Sequence, residues 1–182
     1  MNLKGQALST AFHDPVREFL NTYPGNYLEI GTYQGHFLAT LCSEYLDKSF
    51  FGIDPFISDG CVPGERGTAI PEVEEIASHN ILQTTNGSLI KCTTQDFLKS
   101  DIVENVLERV SCILIDGSHH YEDIVYDLEL VLRISNNLKK AVFFDDTAVS
   151  DVTKAVQELI SNLGNRVNRL SQINNGYIIH FK

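Results

Sequence analysis

No apolar run in this 182-residue chain approaches the ~20 residues that a membrane-spanning helix requires. The opening MNLKGQALSTAFHDP lacks the apolar core of a secretory signal, so a cytoplasmic protein is expected. Cysteine is sparse and scattered. Cys42, Cys61, Cys92 and Cys112 form no CxxC pair and show no zinc-ligand spacing, which leaves reduced thiols as the expectation, buried at Cys92 and Cys112. Basic clusters are missing as well: no run of Lys and Arg exceeds Lys139-Lys140, and the net charge is −10. Such a surface repels phosphate backbones, so neither nucleic acid nor a membrane is an expected partner. Repeats and low-complexity segments are absent too. The length suits one core, hence a single domain over 1–182, with an N-terminal helical segment (1–25) ahead of the core (26–182).

What is present is alternation. Phe12, Val16, Phe19 and Leu20 recur at helical spacing and predict a helix over 12–22. A short strand, Tyr27 to Ile30, ends at Gly31. A helix over 37–46 and a strand over 50–53 follow, the latter ending at Asp54. Residues 55–68, rich in Gly and Pro, read as an irregular loop. Pro71 suits a first helical turn, with the helix continuing over 72–83. Beyond it come a strand over 89–92, a helix over 101–108, a strand over 112–115, a helix over 120–135, a strand over 141–144 and a helix over 152–163. The tail holds two strand-like pieces around Asn174-Asn175-Gly176, a hairpin signal. This order predicts an α/β fold: a doubly wound, mostly parallel, seven-stranded Rossmann-like sheet with helices on both faces and a C-terminal antiparallel hairpin. Parallel strands covered on both faces read as continuous apolar runs, as these do.

Ligands of such sheets bind beyond the carboxyl ends of the strands, where strand order reverses. The first strand ends in Glu29-Ile30-Gly31-Thr32-Tyr33-Gln34-Gly35, an ExGxxxG pattern in which Gly31 permits a tight turn and close ligand approach. It is not the GxGxxG of dinucleotide binders, and Glu29 would repel a pyrophosphate. A cationic ligand fits better. Asp54, at the next strand tip, can accept both hydroxyls of a ribose, or cap the loop before Pro55. S-adenosylmethionine, a nucleoside with a cationic amino-acid tail, satisfies both acids.

Two further strands end in acids, LIDGSHHYED at 114–123 and VFFDDT at 142–147. If these strands are neighbours, their tips lie about 5 Å apart and Asp116, Asp145 and Asp146 crowd one spot. Carboxylates that close destabilise one another unless a cation is present, and a hard divalent cation such as Mg²⁺ suits oxygen ligands. The alternative is that each Asp caps the helix after its strand. His119 and His120 beside the acids are candidate bases.

YLEIGTYQG, FGIDPF, ILIDGSHHYEDIVYDL and VFFDDT, in this order and spacing, resemble the metal-dependent class I S-adenosylmethionine methyltransferases of the macrocin and rhamnosyl O-methyltransferase type, over about 27–163. The resemblance implies that Glu29, Gly31, Tyr33, Gly35 and Asp54 hold the cofactor with Asp116 beside it, that Thr94 lies near the adenine, and that Asp116, Asp145 and Asp146 bind the metal. Relatives of that type place an Asp where this chain has Ser118 and often a Ser where it has Phe37. Their sugar-modifying members also carry longer N-terminal segments, so the acceptor pocket is expected to be open or completed by a partner subunit in a homo-oligomer. The expected activity is Mg²⁺-assisted O-methylation of a small, sugar-like or polyhydroxylated acceptor, with His119 ahead of His120 as the base. Three alternatives stay open: a cofactor-binding relative without catalysis, a metal-dependent hydrolase on the same sheet, and a metal-free methyltransferase.

Overall fold

The computed structural model describes residues 2–5, 10–59, 66–133 and 140–182. Among these residues seven strands form one sheet: β1 (Asn26–Ile30), β2 (Phe50–Ile53), β3 (Gly87–Ile90), β4 (Val110–Ile115), β5 (Ala141–Phe144), β6 (Val167–Ile173) and β7 (Gly176–Phe181). Their order is β3-β2-β1-β4-β5-β7-β6. The first five run parallel, and β7 is antiparallel to both of its neighbours. Strand order reverses between β1 and β4, which makes that crevice the expected ligand position.

The helices are α1 (His13–Thr22), α2 (His36–Glu44), α3 (Pro71–Leu82), α4 (Thr94–Leu98), α5 (Val103–Leu107), α6 (Tyr121–Arg133) and α7 (Ser150–Leu163). Side chains alternate across each strand, so the sheet feeds two cores. Leu28, Ile30, Ile113, Ile115, Val142 and Phe144 pack with residues of α4 to α7 on one face. Tyr27, Cys112, Leu114 and Phe143 meet α1 and α2 on the other. Each large apolar side chain so buried contributes about 1.5–3 kcal/mol.

The expected doubly wound sheet with its terminal hairpin is therefore the fold; β4 and α7 each start two residues earlier than expected, and other departures have a physical reason. β3 starts at Gly87 rather than Leu89, because its partner β2 sets the register, from Phe50↔Gly87 to Ile53↔Ile90. Helix α4 escapes the periodicity because it has only five residues; its signal is Thr93, whose hydroxyl accepts the Asp96 amide at 3.1 Å. The long loop after β2 carries a bridge between Ile57 and Ala69. Residues 60–65, Cys61 among them, and the expected end of α6 at Ser135 lie outside the described residues. Cys42, Cys92 and Cys112 are free thiols; the first and last are buried, whereas Cys92 is only half-buried. No described helix is long and apolar enough to cross a membrane.

Candidate active site

The residues that end the four central parallel strands each extend the ladder by one bond. Asp54 donates its amide to Ile90 O (3.2 Å), Gly31 to Ile53 O (2.9 Å), Asp116 to Ile30 O (2.9 Å) and Asp145 to Ile115 O (3.1 Å). Asp54, Gly31, Asp116 and Asp145 thus stand in one row along the carboxyl edge, at the ~4.8 Å strand spacing. Four sequence-predicted residues share that edge.

At the β1 tip the chain must turn under the β4 tip. Gly31 adopts φ 83°, and a Cβ there would lie 2.0 Å from the backbone oxygen of Asp116. Only glycine fits. Glu29 is 5% exposed and accepts the Tyr27 hydroxyl at 3.2 Å. Burial, and then the charge of Asp116, push its carboxyl well above the usual range, while the Tyr27 bond works against them. Tyr33, with φ 48°, donates its amide to Asp54 Oδ2 at 2.7 Å. Asp54 Oδ1 accepts the Phe56 amide at 2.7 Å. Burial raises the Asp54 pKa, and these backbone amides oppose it. Asp54 therefore caps its own loop and also splints the β1–α2 turn. Gly35 closes that turn, donating to Thr32 O at 2.8 Å before α2 begins.

The β4 and β5 tips differ. Asp145 Oδ1 accepts the Asp146 amide at 2.8 Å, and Asp146 itself adopts φ 51°. This turns its Oδ2 to His119 Nε2, 2.8 Å away. The other ring nitrogen, Nδ1, meets Asp59 Oδ2 at 2.6 Å. Burial alone would lower the His119 pKa; hydrogen bonds and charge from Asp146 and Asp59 outweigh it and hold the imidazole above its ordinary value. With a carboxylate at each nitrogen, the ring is best satisfied as the imidazolium. His120 Nε2 lies 2.6 Å from the backbone oxygen of Asp59; a carbonyl only accepts, so Nε2 carries the proton. Both histidines thus clasp the loop after β2.

The three expected metal ligands share the edge, but their side chains do not converge. Among the described residues no group of three His, Cys, Asp or Glu side chains is placed to hold a metal ion, and Asp146 is engaged by His119. The donor set itself, three carboxylates on adjacent strand tips, has the hard-oxygen chemistry that a Mg²⁺-like ion takes. Ser118, where an Asp was expected by resemblance, donates to Asp123 Oδ2 at 2.8 Å and accepts the His120 amide at 3.2 Å. It serves the start of α6. Thr94, 8% exposed, bonds the buried Asp127 of α6 with its hydroxyl; burial raises Asp127 to about 7, and this bond opposes the rise.

Asp59 and Asp127 were not singled out by sequence. Asp59 sits in a Gly- and Pro-rich loop, where Asp is an ordinary turn residue, and its partner is 60 positions away. Asp127 falls on the buried face of α6, where the apolar period of Ile124, Leu128 and Val131 masks one acid.

Comparison with known proteins matches this layout. Residues 28–147 fit the family described as methyltransferase domain. The uncharacterized protein R132 of Acanthamoeba polyphaga mimivirus is 25% identical over 147 residues, which cover 79% of this chain and 62% of that protein. This chain thus spans less than two thirds of that relative. Among solved structures, the O-methyltransferase TomG from Streptomyces achromogenes, in complex with SAM, superposes with a TM-score of 0.67 at 12% identity, covering 96% of this chain and 81% of its own. CalS11, a TDP-rhamnose 3'-O-methyltransferase of calicheamicin biosynthesis, gives 0.64 at 17% identity, covering 92% and 76%. At such identities the likeness speaks for the fold, while the family match covers most of the chain: it belongs to the methyltransferase domain family.

Proposed function

We propose that this protein transfers a methyl group from S-adenosylmethionine to a hydroxyl of a small, polyhydroxylated or sugar-like acceptor, with a divalent cation, Mg²⁺ for choice, at Asp116, Asp145 and Asp146. The observation that carries the reading is the row of Asp54, Gly31, Asp116 and Asp145 along four adjacent strand tips. One end of that row suits a cationic nucleoside and the other suits a hydroxylated acceptor.

On the cofactor side, Glu29 and Asp54 are acids whose burial disfavours their charge. A sulfonium or ammonium group nearby offsets that penalty. Asp54 retains a lone pair for a ribose hydroxyl beyond the backbone amides of Phe56, Tyr33 and Thr32 that it accepts, and the Gly31 turn lets a ligand approach the backbone. The family resemblance puts the adenine near Thr94.

On the acceptor side, the acceptor oxygen attacks the methyl carbon. A carbon–oxygen bond forms, the carbon–sulfur bond breaks, and the sulfonium becomes a neutral thioether. The hydroxyl proton must leave. His119 is the candidate base, held at Nδ1 by Asp59; when Asp146 turns away from it the ring sheds its Nε2 proton, and the neutral imidazole then takes the hydroxyl proton at Nε2. His120, tied to the Asp59 backbone, ranks second. A divalent cation bound by the three aspartates would lower the pKa of the acceptor hydroxyl. Most of the acceleration is alignment of oxygen, carbon and sulfur. The sugar-like acceptor draws support from the resemblance of IDGSHHY and DDT to sugar O-methyltransferases and from CalS11, which acts on TDP-rhamnose.

Calorimetric titration with S-adenosylmethionine, with and without Mg²⁺, tests the reading. Binding of S-adenosylmethionine but not NAD⁺ is expected, together with Mg²⁺ binding that Asp145→Ala abolishes while cofactor affinity stays. Binding of NAD⁺ alone sinks the cofactor assignment. Unchanged Mg²⁺ binding in Asp116→Ala, Asp145→Ala and Asp146→Ala proteins returns these acids to helix capping.

A further inference from the structure

The ExGxxxG turn is braced from outside by a side chain that has no part in the row of strand tips. Asn80 on α3 is completely buried. Its Nδ2 donates to the backbone oxygens of Gln34 (2.8 Å) and Lys4 (2.9 Å), and its Oδ1 accepts the Lys4 amide at 2.8 Å. Three residues on, at the C-cap of α3, Gln83 makes the same two-way pairing with Asn2: the Asn2 amide reaches Oε1 and Nε2 reaches the Asn2 oxygen, both at 3.1 Å. Residues three apart share a helix face, and alternate residues of an extended chain present their backbone groups to the same side. Two side-chain amides on one face of α3 thus hold residues 2–4 as a β-partner would. Leu3, between them, packs on the core around α2. Gly5, next along the segment, faces the side chain of Gln34 in that turn. A Cβ at Gly5, whose φ is 81°, would lie 2.0 Å from Gln34 Oε1.

A buried amide with both N–H groups and its oxygen engaged is a rigid joint, because a polar group left unmet in the interior keeps its full desolvation penalty. Here it joins two segments distant in sequence, the N-terminal strap and the loop that carries Gly31, Tyr33 and Gly35. We infer that Asn80 is a positioning residue for the cofactor loop, which transmits docking of residues 2–5 to the backbone that receives the methyl donor. This rests on the reading of that loop as the cofactor site. Coupling is reciprocal: if the docked strap favours cofactor binding, bound cofactor must hold the strap down by the same factor.

Amide hydrogen exchange followed by NMR tests both directions. In the ligand-free protein, Asn80→Ala or Gly5→Val should speed exchange of the Tyr33 and Gly35 amides by about tenfold, within the usual range of coupling. In the wild type, S-adenosylhomocysteine should slow exchange of the Lys4 amide by about the same factor, although Lys4 touches no ligand. Gly5→Val changes only an exposed residue, so it carries the test if Asn80→Ala does not fold. Unchanged Tyr33 and Gly35 exchange in Gly5→Val overturns the coupling, and so does unaltered Lys4 exchange once cofactor is bound. A wild type that binds no S-adenosylhomocysteine fails the methyl-donor reading separately, and the ligand-free comparison still decides whether strap and loop are joined. A merely structural Asn80 would lower the melting temperature and leave the Lys4 response to cofactor intact.

Discussion

At the tips of β1 and β2 polar groups answer to backbone: Asp54 takes the amides of Tyr33 and Phe56, and Gly31 makes room for the Asp116 carbonyl. At the tips of β4 and β5 backbone bonds are joined by a set between side chains: Asp146 and Asp59 grip His119, and Ser118 bonds Asp123. A backbone-braced half keeps its shape with or without ligand. A half whose carboxylates are held by a histidine can rearrange, because exchanging one side-chain partner for another leaves the chain trace alone. Under the proposed activity, that division suits a cofactor site of fixed form beside an acceptor site that must handle a proton.

The sharpest way to break the comparison is Gly31→Ala against Gly35→Ala. Both positions have positive φ, 83° and 65°. The new Cβ at 31 lies 2.0 Å from a carbonyl oxygen, whereas at 35 it meets Ala77 at an ordinary 3.4 Å. Left-handed strain alone costs about 1–2 kcal/mol, which is the expectation for Gly35→Ala in urea unfolding. Gly31→Ala must also displace the β4 tip, so a loss above about 4 kcal/mol, or no folded protein, is expected. Equal losses would mean that the β1 turn is not built against β4.

The same division explains what could be read in the sequence. Gly31, Asp54 and the order of strands were legible because local backbone geometry demands particular residue types at fixed offsets. Asp116 and Asp145 were legible as polar ends of apolar runs. Asp59 was not, since a clasp between a loop and a histidine 60 positions on leaves no periodic trace. Asn80 was hidden likewise: its partners are backbone atoms of Lys4 and Gln34, and any sequence supplies those. The expected convergence of Asp116, Asp145 and Asp146 is not found among the described residues, where Asp146 bonds His119. Strand adjacency follows from the pattern of elements, whereas the direction of a side chain after a strand end depends on a φ of 51° that composition does not encode.

The second prediction concerns the side-chain half. His119→Ala should lower turnover by about 10²–10⁴-fold, the usual worth of a general base, while S-adenosylmethionine affinity stays unchanged because the β1 and β2 tips are untouched. Steady-state rates beside calorimetric affinities check it. A fall in affinity equal to the fall in rate would erase the division of labour between the halves. The Ser118→Asp change would not supply a substitute base cleanly, because the new carboxylate would face Asp123, the present partner of Ser118.

The smallest expected effect lies where the halves meet underneath, at the bond from Thr94, beside the cofactor side, to Asp127 of α6. Asp127 is 3% exposed. Burial raises its pKa from 3.8 to about 7, the Thr94 hydroxyl opposes the rise, and Asp123 one turn away adds to it. Between those two pH values the folded protein holds a proton that the unfolded chain has released. Stability therefore falls as pH rises through this window, and the full loss is present above about 7. At 1.36 kcal/mol per unit the linkage bounds the loss near 4 kcal/mol, and about 2 kcal/mol is expected once the folded state relaxes. Asp127→Asn keeps an oxygen for Thr94 and removes the charge. Its new amide hydrogens add a penalty that does not vary with pH, so the readout is the slope. Unfolding free energies of wild type and Asp127→Asn should differ by a constant below pH 4 and shift by about 2 kcal/mol in favour of the variant by pH 8. Parallel curves across that range would mean that Asp127 is ionised in the folded protein, and the Thr94 bond would then be a charge-assisted tie between the two halves rather than a neutral one.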